Sequence, residues 1–111
     1  MLGKGSLFTD LLKISKTQIE KDLIQDLFCL LRDFYYVLDI YNECDVYLKT
    51  FNYLFNDLEI YKVDEIADAV YVSDRTIKRF KNKTERIIIT LIKTNKKYQI
   101  LNQLLQQHKN A

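Results

Sequence analysis

Residues 73–86 read SDRTIKRFKNKTER. Arg75, Arg79, Asn82 and Arg86 step by four, three and four, so a helix carries them as one continuous stripe. Asp74 and Lys78 fall on the same outward face. A stripe of this composition suits one kind of chemistry, the reading of a nucleic-acid groove. Arginine can fork onto the guanine edge, asparagine onto the adenine edge, and lysine neutralises phosphates. Lys81, Lys83, Lys93, Lys96 and Lys97 would add attraction without sequence preference. The plain alternative for the same residues is a solvated helix face that keeps the protein soluble.

Such a stripe can enter a groove only if a second helix holds it at an angle. Residues 63–72, immediately upstream, have the composition for that. Asp64 can cap a short helix, and Ile66, Ala67 and Val70 form its inner face. Ala67 is small where two helices crossing at about 90–120° approach most closely. Val72 points inward from the turn, Ser73 caps the next helix, and Ile77 and Phe80 pack back on the first. The buried set and the outward basic set therefore interlock along one segment.

This segment resembles a helix-turn-helix of the sigma-factor region 4 kind. It is similar to small phage regulators of the ArpU/RinA type, in which a helical N-terminal part precedes such a motif. The resemblance rests on residues 64–83, DEIADAVYVSDRTIKRFKNK. It implies sequence-specific binding of double-stranded DNA by the second helix, and it leaves room for contact with RNA polymerase. Position by position it places Ser73, Asp74, Arg75, Lys78, Arg79 and Asn82 at the DNA; Lys81, Lys83 and Arg86 continue that surface. Tyr71 departs from the family, whose turns usually carry glycine. A tyrosine at positive φ costs about 1 kcal/mol or more. Either the turn accepts that cost, or it takes another geometry and lets the ring pack on the N-terminal half.

The charge distribution agrees with a split of roles. Residues 1–61 hold six Lys/Arg against ten Asp/Glu, a net of −4. Residues 62–111 hold eleven against five, a net of +6, and the two halves give the overall +2. Asymmetry of this kind points to an anionic partner for the basic half. The expected organisation is an acidic part, 1–61, that assembles the protein and a basic part, 62–111, that meets DNA, in one compact unit.

An all-α fold is expected. The chain has no proline, and its two glycines are Gly3 and Gly5. A β-rich chain of 111 residues would need glycine at several turns, whereas Asn, Asp, Ser and Thr suffice to close helices. The segment LFTDLLKI forms a short leading turn or helix. A helix over 16–41 follows, with Ser15 and Gln18 at capping-box spacing. It carries two apolar stripes side by side. One is Leu23, Leu27, Leu30, Phe34, Val37 and Tyr41; the other is Ile24, Phe28, Leu31, Tyr35 and Leu38. A helix packed on one neighbour needs one stripe, so two predict a sandwiched helix, either inside its own bundle or against a second copy of the chain, with Phe28, Leu31, Tyr35 and Leu38 as the dimer contact in the second case. A second helix over 45–58 would fold back as a hairpin. After the basic stripe, Ile87, Ile88, Leu91 and Ile92 continue the helix, and Tyr98, Leu101 and Leu105 place a last one over 96–108. The alternative is a winged helix-turn-helix with a small hairpin near 86–101.

Other functions find little support. No G-x-S-x-G, P-loop or H-E-x-x-H motif is present, so no catalytic residue is expected. Cys29 and Cys44 lack metal-ligand spacing, and His108 is the sole histidine, so neither a metal nor a cofactor is expected. Apolar runs fall far short of the roughly 20 residues that span a bilayer. The first residues lack the apolar core of an export signal. The expectation is a cytoplasmic, dimeric DNA-binding regulator. A protein-interaction module, such as an inhibitor of a host factor, or a DNA-packaging or replication accessory is the alternative.

Overall fold

In the computed structural model, which describes residues 7–56 and 61–109, the chain is all-α, with no strand among those residues. Its elements are α1 (Leu7–Ile14), α2 (Gln18–Tyr41), α3 (Val46–Phe51) running into a π-helical turn (Asn52–Asn56), α4 (Val63–Val70), α5 (Asp74–Thr94), a 3-10 turn (Lys96–Tyr98) and α6 (Gln99–Lys109). The last residues of the helix expected over 45–58 lie outside the described residues.

Local chemistry sets these boundaries. The capping box of α2 lies two residues beyond the expected one. Thr17 Oγ1 accepts from the Glu20 N–H at 3.2 Å, and Glu20 Oε1 accepts from the Thr17 N–H at 2.9 Å. Ser15 instead closes α1, its hydroxyl donating to the Leu12 carbonyl. Asp64 is likewise not the cap of α4; it lies inside the first turn, after Lys62. The corner between α2 and α3 is set by Asp39, a buried carboxylate near the end of α2. It accepts from the Tyr47 and Leu48 N–H groups, each at 3.0 Å. Free N–H groups at a helix start favour an anion there, so Asp39 caps α3 from outside it.

The helix from Asp74 runs unbroken to Thr94, and residues 86–101 form no wing. Thr84, Ile88 and Ile92 are all buried while Arg86 and Thr90 between them are exposed; a strand would put all five on one face. Asn95 ends the helix, and its side chain accepts from the Lys97 N–H to start the 3-10 turn.

The main core draws on both charge halves: Leu11, Ile24, Leu27, Phe28, Leu31, Tyr35, Phe51 and Phe55 pack with Ile88, Ile92, Tyr98, Leu101, Leu104 and Leu105. The charge boundary at 61/62 is therefore not a packing boundary. Full burial of one such side chain contributes about 1.5–3 kcal/mol. A second, smaller cluster joins Ile66, Ala67, Val70 and Ile77, with Tyr53, Leu54, Tyr61, Val63 and Val72 partly buried around it. Leu54 touches both clusters. Phe80 does not pack back on α4 as expected. It belongs to the main core, with its ring centroid 4.9 Å from that of Tyr35 and 6.3 Å from that of Tyr47.

The two stripes of α2 have different fates, and the expected assignment is corrected. Phe28, Leu31 and Tyr35 are buried in the chain's own core and Leu38 is half-buried against it, so they cannot face a second copy. Nor is the helix sandwiched. Leu30, Phe34, Val37 and Tyr41 are 47–85% exposed, because α1, α3 and α6, with Phe80 and Thr84 of α5 against Tyr35, cover α2 on one side only. Ile40 and Tyr36 flank that open face and are exposed as well. No described helix is long and apolar enough to cross a membrane. Cys29 and Cys44 are free thiols, and Cys44 Sγ lies 3.4 Å from Asp39 Oδ1.

Candidate nucleic-acid interface

The site is built on α4 and α5. Their contact is the small cluster of Ile66, Ala67 and Val70 against Ile77, and Ala67 is buried where a larger side chain would push the helices apart. The turn between them is tight. The Val72 N–H donates to the Ala67 carbonyl at 3.0 Å, and Tyr71 takes φ 59° and ψ 46°, the left-handed region. The open question about this turn is thus decided: tyrosine occupies the position that favours glycine. Its ring does not pack on the N-terminal half, since Tyr71 is 93% exposed.

Ser73 then starts α5 from an extended backbone. Its Oγ accepts from the Thr76 N–H at 3.2 Å, and the two hydroxyls lie 2.9 Å apart. A serine cap of this kind contributes about 1 kcal/mol. Asp74 in the first turn complements the positive end of the helix.

The outward face of α5 lies where its spacing placed it. Ser73, Asp74, Arg75, Lys78, Arg79, Asn82, Lys83 and Arg86 are all exposed. Among the described residues, the side chains of Arg75, Lys78, Arg79, Asn82, Lys83 and Arg86 take part in no salt bridge or side-chain hydrogen bond. They are therefore available to a partner. The C-terminal half of α5 is locked into the main core through Ile88 and Ile92, so the exposed half projects from a rigid base rather than from a loop.

Three lysines are placed differently. Lys81 is half-buried on another flank, where its charge acts on Glu85. Burial raises the Glu85 carboxyl, Lys81 lowers it and Asp10 raises it. Lys97 is engaged within the chain, its ammonium 2.6 Å from Asp26 Oδ2. Lys93 lies about 27 Å along the helix from Arg75 at ~1.5 Å per residue, too far to share one groove contact with it.

Sequence reasoning missed two features. One is the open face of α2. Both stripes were legible, but nothing in their spacing says which one the rest of the chain covers. The other is the exposure of Tyr71, near enough to Lys49 for its phenol to act on that ammonium, after the larger effects of the Asp45 hydrogen bond and charge.

No family model matches the chain, and no curated protein or solved structure does so either.

Proposed function

We propose that the protein binds double-stranded DNA in a sequence-specific manner and regulates transcription, with α5 as the helix that enters the major groove. One observation carries this reading. The α4–α5 pair has the crossing contact, tight turn and serine cap of a helix-turn-helix, and the face it turns outward holds Arg75, Lys78, Arg79, Asn82, Lys83 and Arg86, none of them engaged by the fold. In this reading Arg75, Arg79 and Asn82 meet base edges, while Lys78, Lys83 and Arg86 meet phosphates. The resemblance to small phage regulators supports the regulatory role and leaves RNA polymerase as a further contact.

The reading includes a dimer. The open stripe Leu30, Phe34, Val37 and Tyr41 steps by four, three and four, the spacing of a helix–helix seam. Two copies meeting on this face and its flanking Tyr36 and Ile40 would bury on the order of 1,200 Å², the lower edge of stable interfaces. A two-fold pair would present two α5 helices to half-sites about 34 Å apart. The same stripe also favours a second reading, in which α2 docks on another protein; a strictly monomeric chain that binds no DNA would support it.

Electrophoretic mobility shift with fragments of the native locus at two salt concentrations tests the proposal. A specific reader keeps its sequence preference as salt rises while its affinity falls steeply. Arg79→Ala should cost about 1–3 kcal/mol on the specific site. If both Arg79→Ala and Lys78→Ala bind as wild type does, α5 is not the reading helix.

A further inference from the structure

We propose that Tyr71 is a DNA-backbone contact, its ring against a deoxyribose and its phenolic O–H donating to a phosphate oxygen beside the groove that α5 enters. This inference rests on the DNA-binding reading above.

The argument starts from a mismatch. Tyr71 sits at φ 59°, where a Cβ is unfavourable and glycine or asparagine is at ease. Inside the fold no packing offsets that strain: the residue is 93% exposed and belongs to neither apolar cluster, and the nearby Lys49 ammonium is already paired with Asp45. No hydrogen bond or ring contact holds its side chain among the described residues. Glu43 adopts the same backbone region at the α2–α3 corner, but a carboxylate is at home in water and an aromatic ring is not. A strained position that keeps an unburied aromatic side chain points to a contact outside the chain.

Position identifies the class of partner. Tyr71 lies two residues before the cap of α5, so its Cα is within about 7 Å of that helix start. Arg75, Lys78 and Arg79 occupy the adjoining exposed turns. A partner seated on them carries anionic oxygens at this end, and tyrosine hydroxyls are among the groups that position proteins on phosphates.

Two variants of the full chain test this, each measured by thermal melting and by binding to the specific fragment, with wild type and Arg79→Ala alongside. Tyr71→Gly relieves the strain and removes the contact, so its Tm should rise while affinity falls about three- to tenfold. Tyr71→Phe keeps ring and strain; its Tm should stay put and its affinity fall by about threefold, with an unchanged salt slope because a neutral hydroxyl displaces no counterion. Undiminished DNA binding in both variants, whatever the Tm of Tyr71→Gly, overturns the inference. Absence of any specific complex with wild type removes the DNA-binding reading itself, and this inference with it. Loss of binding in Arg79→Ala alone spares that reading and rejects only the role of Tyr71.

Discussion

The hydroxyls of Tyr35 and Thr84 lie 2.6 Å apart in the buried seam between α2 and α5, joining residues 49 positions apart in the chain. Both side chains are otherwise enclosed by apolar neighbours, with Tyr35 ringed by Phe51, Tyr47 and Phe80. Burial pushes the Tyr35 phenol above its ordinary range, and the bond to Thr84 pulls it partly back. An unmade bond here would strand a hydroxyl without water. The pair therefore fixes the lengthwise position of α5 against α2, and with it the height at which the basic face projects.

Tyr35→Phe and Thr84→Val should each destabilise the fold by about 1–2 kcal/mol, since each leaves the other hydroxyl unpaired. The double variant should cost less than the two together, with a coupling of about 0.5–1.5 kcal/mol in urea unfolding. Strict additivity would mean that the two hydroxyls do not act as a pair.

The two faces of α2 should respond oppositely to substitution. Leu31→Ala removes a buried side chain and should cost about 2–5 kcal/mol. Phe34→Asp alters the open face and should change monomer stability by no more than about 1 kcal/mol. Sedimentation equilibrium should show Phe34→Asp as monomer at concentrations where wild type associates. A wild-type chain that stays monomeric at tens of micromolar would remove the dimer, and a Phe34→Asp as costly to monomer stability as Leu31→Ala would contradict the exposure of the stripe.

Tyr98 should leave a mark at alkaline pH. Burial, and then the hydrogen bond that its O–H donates to Asp26 at 3.0 Å, push the phenol up to about 12. An unfolded tyrosine titrates at about 10, so the folded state holds this proton more tightly. The contribution is fully present below pH ~10 and is lost as pH rises towards about 12. Absorbance titration at the phenolate band should show Tyr98 and Tyr35 titrating late, and Tyr98→Phe should remove one of these two steps. Asp26 behaves in the opposite sense. The Lys97 hydrogen bond first, and then Tyr98, hold its carboxyl below the ordinary 3.8, so its contribution is present above that pH and fades as pH falls.

Much of this fold could be read from period and caps, and the failures have physical causes. The leading helix, the long helix and the α4–α5 pair follow from three- and four-residue spacing, which neighbouring elements leave unchanged. The stripe Arg75, Arg79, Asn82 and Arg86 was legible because an exposed basic face needs nothing but a helix to define it. Which stripe of α2 is covered depends on where α5 and α6 dock, and no local pattern carries that. Phe80 went to the wrong cluster for the same reason. Its spacing from Ile77 is compatible with either side of α5, and the aromatic group of Tyr35, Tyr47 and Phe51 that receives it is distant in sequence. The capping box was placed two residues early because Ser15-x-x-Gln18 and Thr17-x-x-Glu20 both fit the signature, and only the second can offer a carboxylate to the helix start.

Asp39 offers the sharpest test of a long-range cap. It lies two residues before the end of α2, yet it accepts from two N–H groups at the start of α3, while Asp45, next to that start, makes no capping bond. Asp39→Ala should cost about 1–3 kcal/mol in urea unfolding, because it frees two backbone donors and leaves a gap under the corner. Asp39→Asn should fall between, since its single carbonyl oxygen cannot serve both donors as well and its amide brings donors of its own. Asp45→Ala removes only the exposed ion pair with Lys49 and should leave stability nearly unchanged. Equal losses in Asp39→Ala and Asp45→Ala would mean that the corner is held by its nearest carboxylate after all. That would undo the account of why α3 turns back along α2 and brings Phe51 into the core.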